Sequence, residues 1–246
     1  MNELVAHSLR VSAGSHTLLH DVSIRVAVGE VVALVGPSGS GKSLTLRSIL
    51  DLLSLRPGRT GGRVWVDGVE RSGASLRGEV GLLFQDARAS LDPLLTVRQQ
   101  VTAAATLAGA EDDVLACLSR LGLEDPTWVA SRYPHELSGG MAQRVAIAIA
   151  LARRSRFLLC DEPTTGLDGP VQQELVRLLR KLPGVGIVFV THDLRLLPGF
   201  ADRIYVIEDG RVVEEATTLA GLRGPGALLV AATSAIAAPG WLEPRP

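Results

Sequence analysis

Gly36-Pro37-Ser38-Gly39-Ser40-Gly41-Lys42-Ser43 is the stretch on which the reading of this chain turns. It fits the pattern G-x-x-x-x-G-K-[ST]. An apolar run, Val31-Val32-Ala33-Leu34-Val35, precedes it and reads as a buried parallel strand, and Leu44 to Leu50 follow as a helix. Strand, glycine-rich loop and helix in that order are the setting in which this pattern cradles phosphate. Gly36, Gly39 and Gly41 let the backbone turn tightly and bring bare N–H groups against phosphate oxygens. The helix N-terminus adds partial positive charge at the same place. Lys42 reaches the outer phosphates and Ser43 offers a hydroxyl to Mg²⁺, so the candidate nucleotide-binding set runs from Gly36 through Leu44. An internal contrast supports it: of 25 basic residues only Lys42 and Lys181 are lysine. A chain that otherwise uses arginine has lysine where a compact point charge fits and a planar fork does not.

Bulk properties narrow the classes. A chain of 246 residues buries a full core, as one domain or a domain with a subdomain. The net charge of -1 gives no basic field directed at nucleic acid. Cys117 and Cys160 lie far apart, which suits a reducing compartment and argues against a disulfide framework. The N-terminus lacks a basic-then-apolar secretory pattern. The longest apolar stretch, Ala227 to Ala238, falls short of the about 18–20 residues of a membrane span. The expectation is a soluble, cytoplasmic chain able to lie against an apolar partner.

Working outward from the loop, residues 3–11 and 22–28 read as strands joined by a turn around Gly14. Gly62 to Gly68 alternates between bracketing glycines and reads as a peripheral antiparallel strand. Glu79 to Phe84 is an apolar strand that ends on Gln85. From about Ala87 to Arg154 the spacing becomes helical: Val97, Val101 and Ala105, then Val114, Leu115, Leu118 and Leu121, stopped by Gly122. A third helix follows Leu137-Ser138-Gly139-Gly140-Met141. Phe157-Leu158-Leu159-Cys160 reads as a central strand ending in Asp161-Glu162, and a helix spans about Gly169 to Lys181. Gly186 to Val190 is a buried strand ending in Thr191-His192-Asp193. Arg203–Glu208 and Arg211–Glu215 form a hairpin around Asp209-Gly210, a dipeptide suited to a tight primed turn. The ending, 224–246, reads as a short helix and a loose tail.

In a mostly parallel sheet, ligands gather at the carboxyl ends of strands. Four strand ends here carry polar residues: the 36–43 loop, Gln85, Asp161-Glu162 and His192. Each alone is weak, since an acidic pair after a strand is often only a helix cap and a lone His is more often structural. Their joint placement at one sheet edge is what carries weight.

With these residues in view, the whole chain resembles the ATP-hydrolysing domain of ABC transporters. Gly36–Ser43 resembles that family's Walker A, and Leu137-Ser138-Gly139-Gly140-Met141-Ala142-Gln143-Arg144 its LSGGQ signature with Met for Gln. Phe157–Glu162 resembles Walker B with its catalytic glutamate, Thr164–Asp168 the D-loop and His192 the switch histidine. Leu83-Phe84-Gln85-Asp86-Ala87-Arg88-Ala89-Ser90-Leu91-Asp92-Pro93 is similar to a stretch of the peptide and nickel importer ATPases. The resemblance implies an α/β P-loop NTPase core with a mixed, mainly parallel sheet and an N-terminal antiparallel β subdomain (about 1–86 and 155–223). It also implies an inserted helical subdomain carrying the signature (about 87–154) and a C-terminal tail (224–246).

The roles follow from chemistry. Asp161 holds Mg²⁺ beside Ser43, with Gln85 a further ligand to the ion or its water. Glu162 polarises the attacking water as general base, worth roughly 10²–10⁴-fold. His192 contacts the γ-phosphate or positions that water, and Lys42 completes the catalytic set. The opened helix at Ser138-Gly139-Gly140 forms a second anion site. The resemblance implies that Leu137, Ser138, Gly139, Gly140, Met141 and Asp168 serve the ATP of a facing chain. It further implies two transmembrane permease subunits, a second, non-identical ABC ATPase subunit, an external substrate-binding protein reached indirectly, and no nucleic acid. The expected location is the cytoplasmic face of the cell membrane, held peripherally by the permease. One departure stands out. The aromatic that usually stacks on adenine falls on Ala13, so the base is held by apolar contacts or by His16.

The leading expectation is an ATPase powering an importer of peptide, nickel or metal chelate. A soluble ATPase of the same superfamily acting on chromosomes or ribosomes would show long heptad insertions or two cassettes, and residues 44–137 show neither. A nucleotide-binding regulator without turnover would need neither Glu162 nor His192.

Overall fold

The computed structural model describes residues 2–76, 78–109 and 113–236. Two sheets face one another across a core. The first is antiparallel, in the order β2-β1-β4-β5, with β1 Glu3–Ala13, β2 His16–Ala27, β4 Pro57–Val66 and β5 Val69–Arg71. The second has six strands in the order β10-β9-β3-β8-β7-β6: β3 Val31–Val35, β6 Val80–Leu83, β7 Phe157–Asp161, β8 Gly186–Val190, β9 Arg203–Glu208 and β10 Arg211–Ala216. Every pairing in it is parallel except the β9–β10 hairpin. That hairpin turns at Asp209 (φ 45) and Gly210 (φ 70), the two positive values a primed turn requires.

The parallel strands are apolar throughout because both faces are covered. Their alternation divides two clusters. Val32, Leu34, Phe157, Leu159, Val188 and Val190 face the antiparallel sheet and helix α1 (Lys42–Ile49). Val31, Ala33, Val35, Leu158, Cys160, Ile187 and Phe189 face the other way, onto the helical layer. That layer holds α2 (Val97–Leu107), α3 (Val114–Arg120), α4 (Pro126–Ala130), α5 (Gly139–Ala152) and α6 (Gly169–Arg180). Thr96 and Asp113 cap α2 and α3 by accepting from backbone N–H groups inside the first turn.

Several boundaries differ from expectation. Strand β2 starts at His16, not 22, because antiparallel pairing with β1 holds its polar first half extended. Strand β4 begins at Pro57 for the same reason. Strand β7 is interior but lies one place from the sheet edge, not at its centre. Helix α7 (Gly224–Ile236) covers the first part of the tail, and 237–246 fall outside the described residues. No helix among the described residues is long and apolar enough to cross a membrane.

Candidate functional site

The strand order places the four polar strand ends side by side, because β3, β8, β7 and β6 are consecutive and parallel. The loop from Gly36 to Gly41 climbs from β3 into α1. Two of its glycines are forced by their surroundings. Gly36 (φ 153) leaves no room for a side chain, since a Cβ there would lie 2.0 Å from the Ile207 carbonyl oxygen. Gly41 (φ 106) faces the buried Leu19, 2.6 Å from the place of a Cβ. Ser40 is buried and its hydroxyl has no partner among the described residues, while Pro37, Ser38 and Gly39 are exposed.

Lys42 is 6% exposed. Its ammonium donates to the carbonyls of Gly36 (2.9 Å) and Pro37 (2.8 Å) and forms no ion pair within the described residues. Burial lowers its pKa, with Glu162 and Asp161 nearby opposing the shift. A buried cation fed only by loop carbonyls, beside an orphaned buried hydroxyl, fits a polyphosphate, whose charge would repay the desolvation.

Ser43 donates to Asp161 Oδ1 at 2.6 Å, and Arg47 on α1 lies 3.8 Å from the other oxygen. No group of three or more His, Cys, Asp or Glu able to hold a metal occurs among the described residues. One hydroxyl and one buried carboxylate nevertheless fit Mg²⁺, which keeps waters and phosphate oxygens as its remaining ligands. Cys160, directly before Asp161, is fully buried, and that burial pushes its thiol pKa far up, so it is inert.

Glu162 adopts a left-handed backbone (φ 49), uncommon for a non-glycine residue. Its carboxylate accepts from Thr165 Oγ1 at 3.1 Å and lies 3.2 Å from His192 Nδ1, so Glu162 and His192 meet across β7 and β8. Gln85 follows β6 at the same sheet edge but is exposed and makes no hydrogen bond within the described residues. Neighbouring Arg88 donates to the Leu137 carbonyl, tying the Gln85 segment to the entrance of α5.

Ser138 caps α5 by accepting from Met141 N, with Gly139 exposed and Leu137 buried. Asp168 is engaged within its own chain as the cap of α6, accepting from Val171 N at 2.9 Å. Ala13 ends β1 opposite an exposed His16, while His7 packs edge-on against Trp65.

Sequence reasoning missed the buttress behind the phosphate loop. Gly210 N donates to the Ser40 carbonyl, and a Cβ on Gly210 would lie 2.1 Å from Leu18 O. The Asp209-Gly210 dipeptide signalled a turn but not what the turn presses against.

A family model described as ABC transporter matches residues 19–165. The chain is 40% identical over 216 residues to the uncharacterized ABC transporter ATP-binding protein YejF of Escherichia coli K12, covering 81% of this chain and 41% of that protein. It thus spans about two-fifths of that relative's length. It is 39% identical over 223 residues to the nickel import ATP-binding protein NikD of Pseudomonas putida, covering 86% of each. Among solved structures, the dimeric post-hydrolysis state of the ATP-binding cassette MJ0796 bound to ADP and Pi matches with a TM-score of 0.72 and 32% identity. That match covers 90% of this chain and 99% of the other. Fold, strand-end geometry and these likenesses agree, and the chain belongs to the ABC transporter family.

Proposed function

We propose that this chain is the ATP-hydrolysing subunit of a membrane importer of the peptide, nickel or metal-chelate class. The observation that carries the hydrolytic part is the pairing of Glu162 with His192 at the sheet edge that also holds the buried Lys42, which forms no ion pair within the described residues. Main-chain amides from Gly36 to Leu44, with Lys42, hold the phosphates. Ser43, Asp161 and Gln85 hold Mg²⁺, which when bound supplies charge neutralisation to the phosphates. Glu162 takes the proton of the attacking water, and His192 keeps that carboxylate in place while facing the outer phosphate.

Exposed Ser138 and Gly139 at the start of α5, with Gly140 and Met141, are suited to bind the outer phosphate of a nucleotide held by a second chain. ATP then holds two subunits together and hydrolysis releases them. The dimeric cassette among the similar structures supports that arrangement, and the similarity to NikD supports uptake. Exposed Phe84, next to Gln85, and exposed Leu94 in the segment that follows offer apolar surface that permease subunits would cover, holding the chain at the inner face of the membrane. The partner ATPase is a non-identical subunit, and the external binding protein is reached through the permease.

Glu162→Gln tests the reading: nucleotide should still bind, phosphate release should fall by about 10²-fold or more, and the ATP-bound pair should accumulate on size exclusion. Phosphate release at the unsubstituted rate would remove Glu162 from the mechanism.

A further inference from the structure

Away from the phosphate loop, α6 and the segment after β8 enclose a cleft of about 510 Å³, within the size range of small-molecule sites. Its floor is apolar and anchored in the core: Val176 and Phe200 are buried, with Phe200 edge-on against Phe189 at 4.9 Å. Its rim is basic. Arg180 is satisfied by both oxygens of Asp202, at 2.6 and 2.8 Å, and Arg195 by both oxygens of Asp193. That leaves Arg177 and Lys181, one helical turn apart. Neither forms an ion pair within the described residues, and the Arg177 guanidinium donates only to Gln173, at 3.3 Å.

Cations in the last turn of α6 complement the helix dipole, an effect of about 0.3–1 kcal/mol at an exposed surface. That account explains the charges but not a concave apolar floor beneath them. The composition adds a separate observation. Lys181 is the second of the chain's two lysines, and the first is the buried ammonium of the phosphate loop.

We propose that this cleft is a second ligand site, for a small organic anion that joins one carboxylate or phosphate group to an apolar body. Arg177 and Lys181 take the anionic group, and Val176, Leu196 and Phe200 take the body. The cleft is also connected to the nucleotide site. Gly169 lines it one residue after Asp168, and Asp193 lines it one residue after His192. A ligand seated there lies against Asp193, the residue next to His192, and so bears on the strand end that carries His192. This coupling rests on the ATPase reading; the binding itself does not.

Dansylglycine, a naphthalene ring carrying one carboxylate, is titrated into the full chain by fluorescence, with MgADP saturating so that the phosphate loop is filled. Saturable binding is expected, weakened at least about tenfold in the double variant Arg177→Glu/Lys181→Glu. Both side chains are exposed, and an unchanged melting temperature verifies that the variant is folded. Equal affinity in the folded double variant, or no saturable binding to the unsubstituted chain, would overturn the site. In a parallel turnover assay the probe should change kcat in the unsubstituted chain and not in the double variant. An unchanged kcat at saturating probe would overturn the coupling, and a chain that binds the probe yet never hydrolyses ATP would sink the ATPase reading alone.

Discussion

Substituting Ser43 by Ala should lower stability and substituting Asp161 by Asn should not, while both abolish Mg²⁺-dependent hydrolysis. The Asp161 side chain is 6% exposed and has two partners among the described residues: the Ser43 hydroxyl at 2.6 Å and Arg47, half exposed, at 3.8 Å. A hydrogen bond to a charged group contributes about 1.5–3 kcal/mol, and an ion pair with an exposed arginine far less. Ser43→Ala therefore leaves a buried carboxylate short of its main donor. For a chain of this length 1 kcal/mol moves the melting temperature by about 2–4 °C, so the variant should melt about 3–12 °C lower. Asp161→Asn keeps an oxygen that accepts from Ser43 and removes the desolvated charge, so it should melt at or above the unsubstituted protein. Scanning calorimetry without nucleotide, in a chelator at neutral pH, reads both. If Asp161→Asn falls as far as Ser43→Ala, the hydroxyl–carboxylate bond is not what holds this corner.

The loop glycines should form a graded series in urea midpoint when changed to Ala. Gly36 is worst because its Cβ would meet a backbone carbonyl, Gly41 intermediate because it meets the movable Leu19, and Gly39 mildest because nothing lies within 4 Å; a flat series would refute the packing. Burial works against the ionised form of Asp202, but hydrogen bonds from Arg180 and from Val31 N outweigh it, so the group titrates below its ordinary value. Its stabilisation is complete above the ordinary carboxylate pKa and lost as pH falls through the lowered folded value. Asp202→Asn should thus melt lower at neutral pH, by no more than about 1 kcal/mol given the exposure of the pair, with the gap closing in acid; a gap that widens in acid would contradict the sign. Glu162→Gly should melt about 2–4 °C above Glu162→Gln, because glycine adopts the left-handed backbone without strain. The reverse order in calorimetry would show that the Thr165 and His192 contacts outweigh that strain.

The parallel core was legible because its strands are continuous apolar runs between glycines and polar turns, a local signal. The juxtaposition of Gln85, Glu162, His192 and the loop at one edge was also legible, since parallel strands put all their carboxyl ends on one side. What escaped was set by distant partners. His16 to Asp21 lacks alternation, and it is extended only because β1 pairs with it. Asp168 is the exception: besides the role toward a facing chain that the resemblance implies, it caps its own helix. That capping use follows from an Asp three residues before Val171, a signal available in the sequence. Nothing local announces that Gly210 supports Ser40, a hydrogen bond across 170 positions.

Glu162 shows why a site of this kind departs from regular structure where it does. Along β7, Phe157 and Leu159 face α1 while Leu158 and Cys160 face the helical layer. Asp161 continues the alternation toward α1, which is how it meets Ser43. A further extended residue would send the next carboxylate into the apolar helical side, among Leu158 and Cys160, where ionisation is costly. The left-handed turn at Glu162 breaks the pleat at that step and costs roughly 1–2 kcal/mol. It turns the carboxylate to Thr165 and to His192 on the adjacent strand. Two neighbouring acids thereby face different partners, one a hydroxyl suited to share a metal, the other an imidazole suited to steady a base. The strain falls on the residue whose side chain the pleat would otherwise misdirect, which is the place the proposed duty of Glu162 as a base requires.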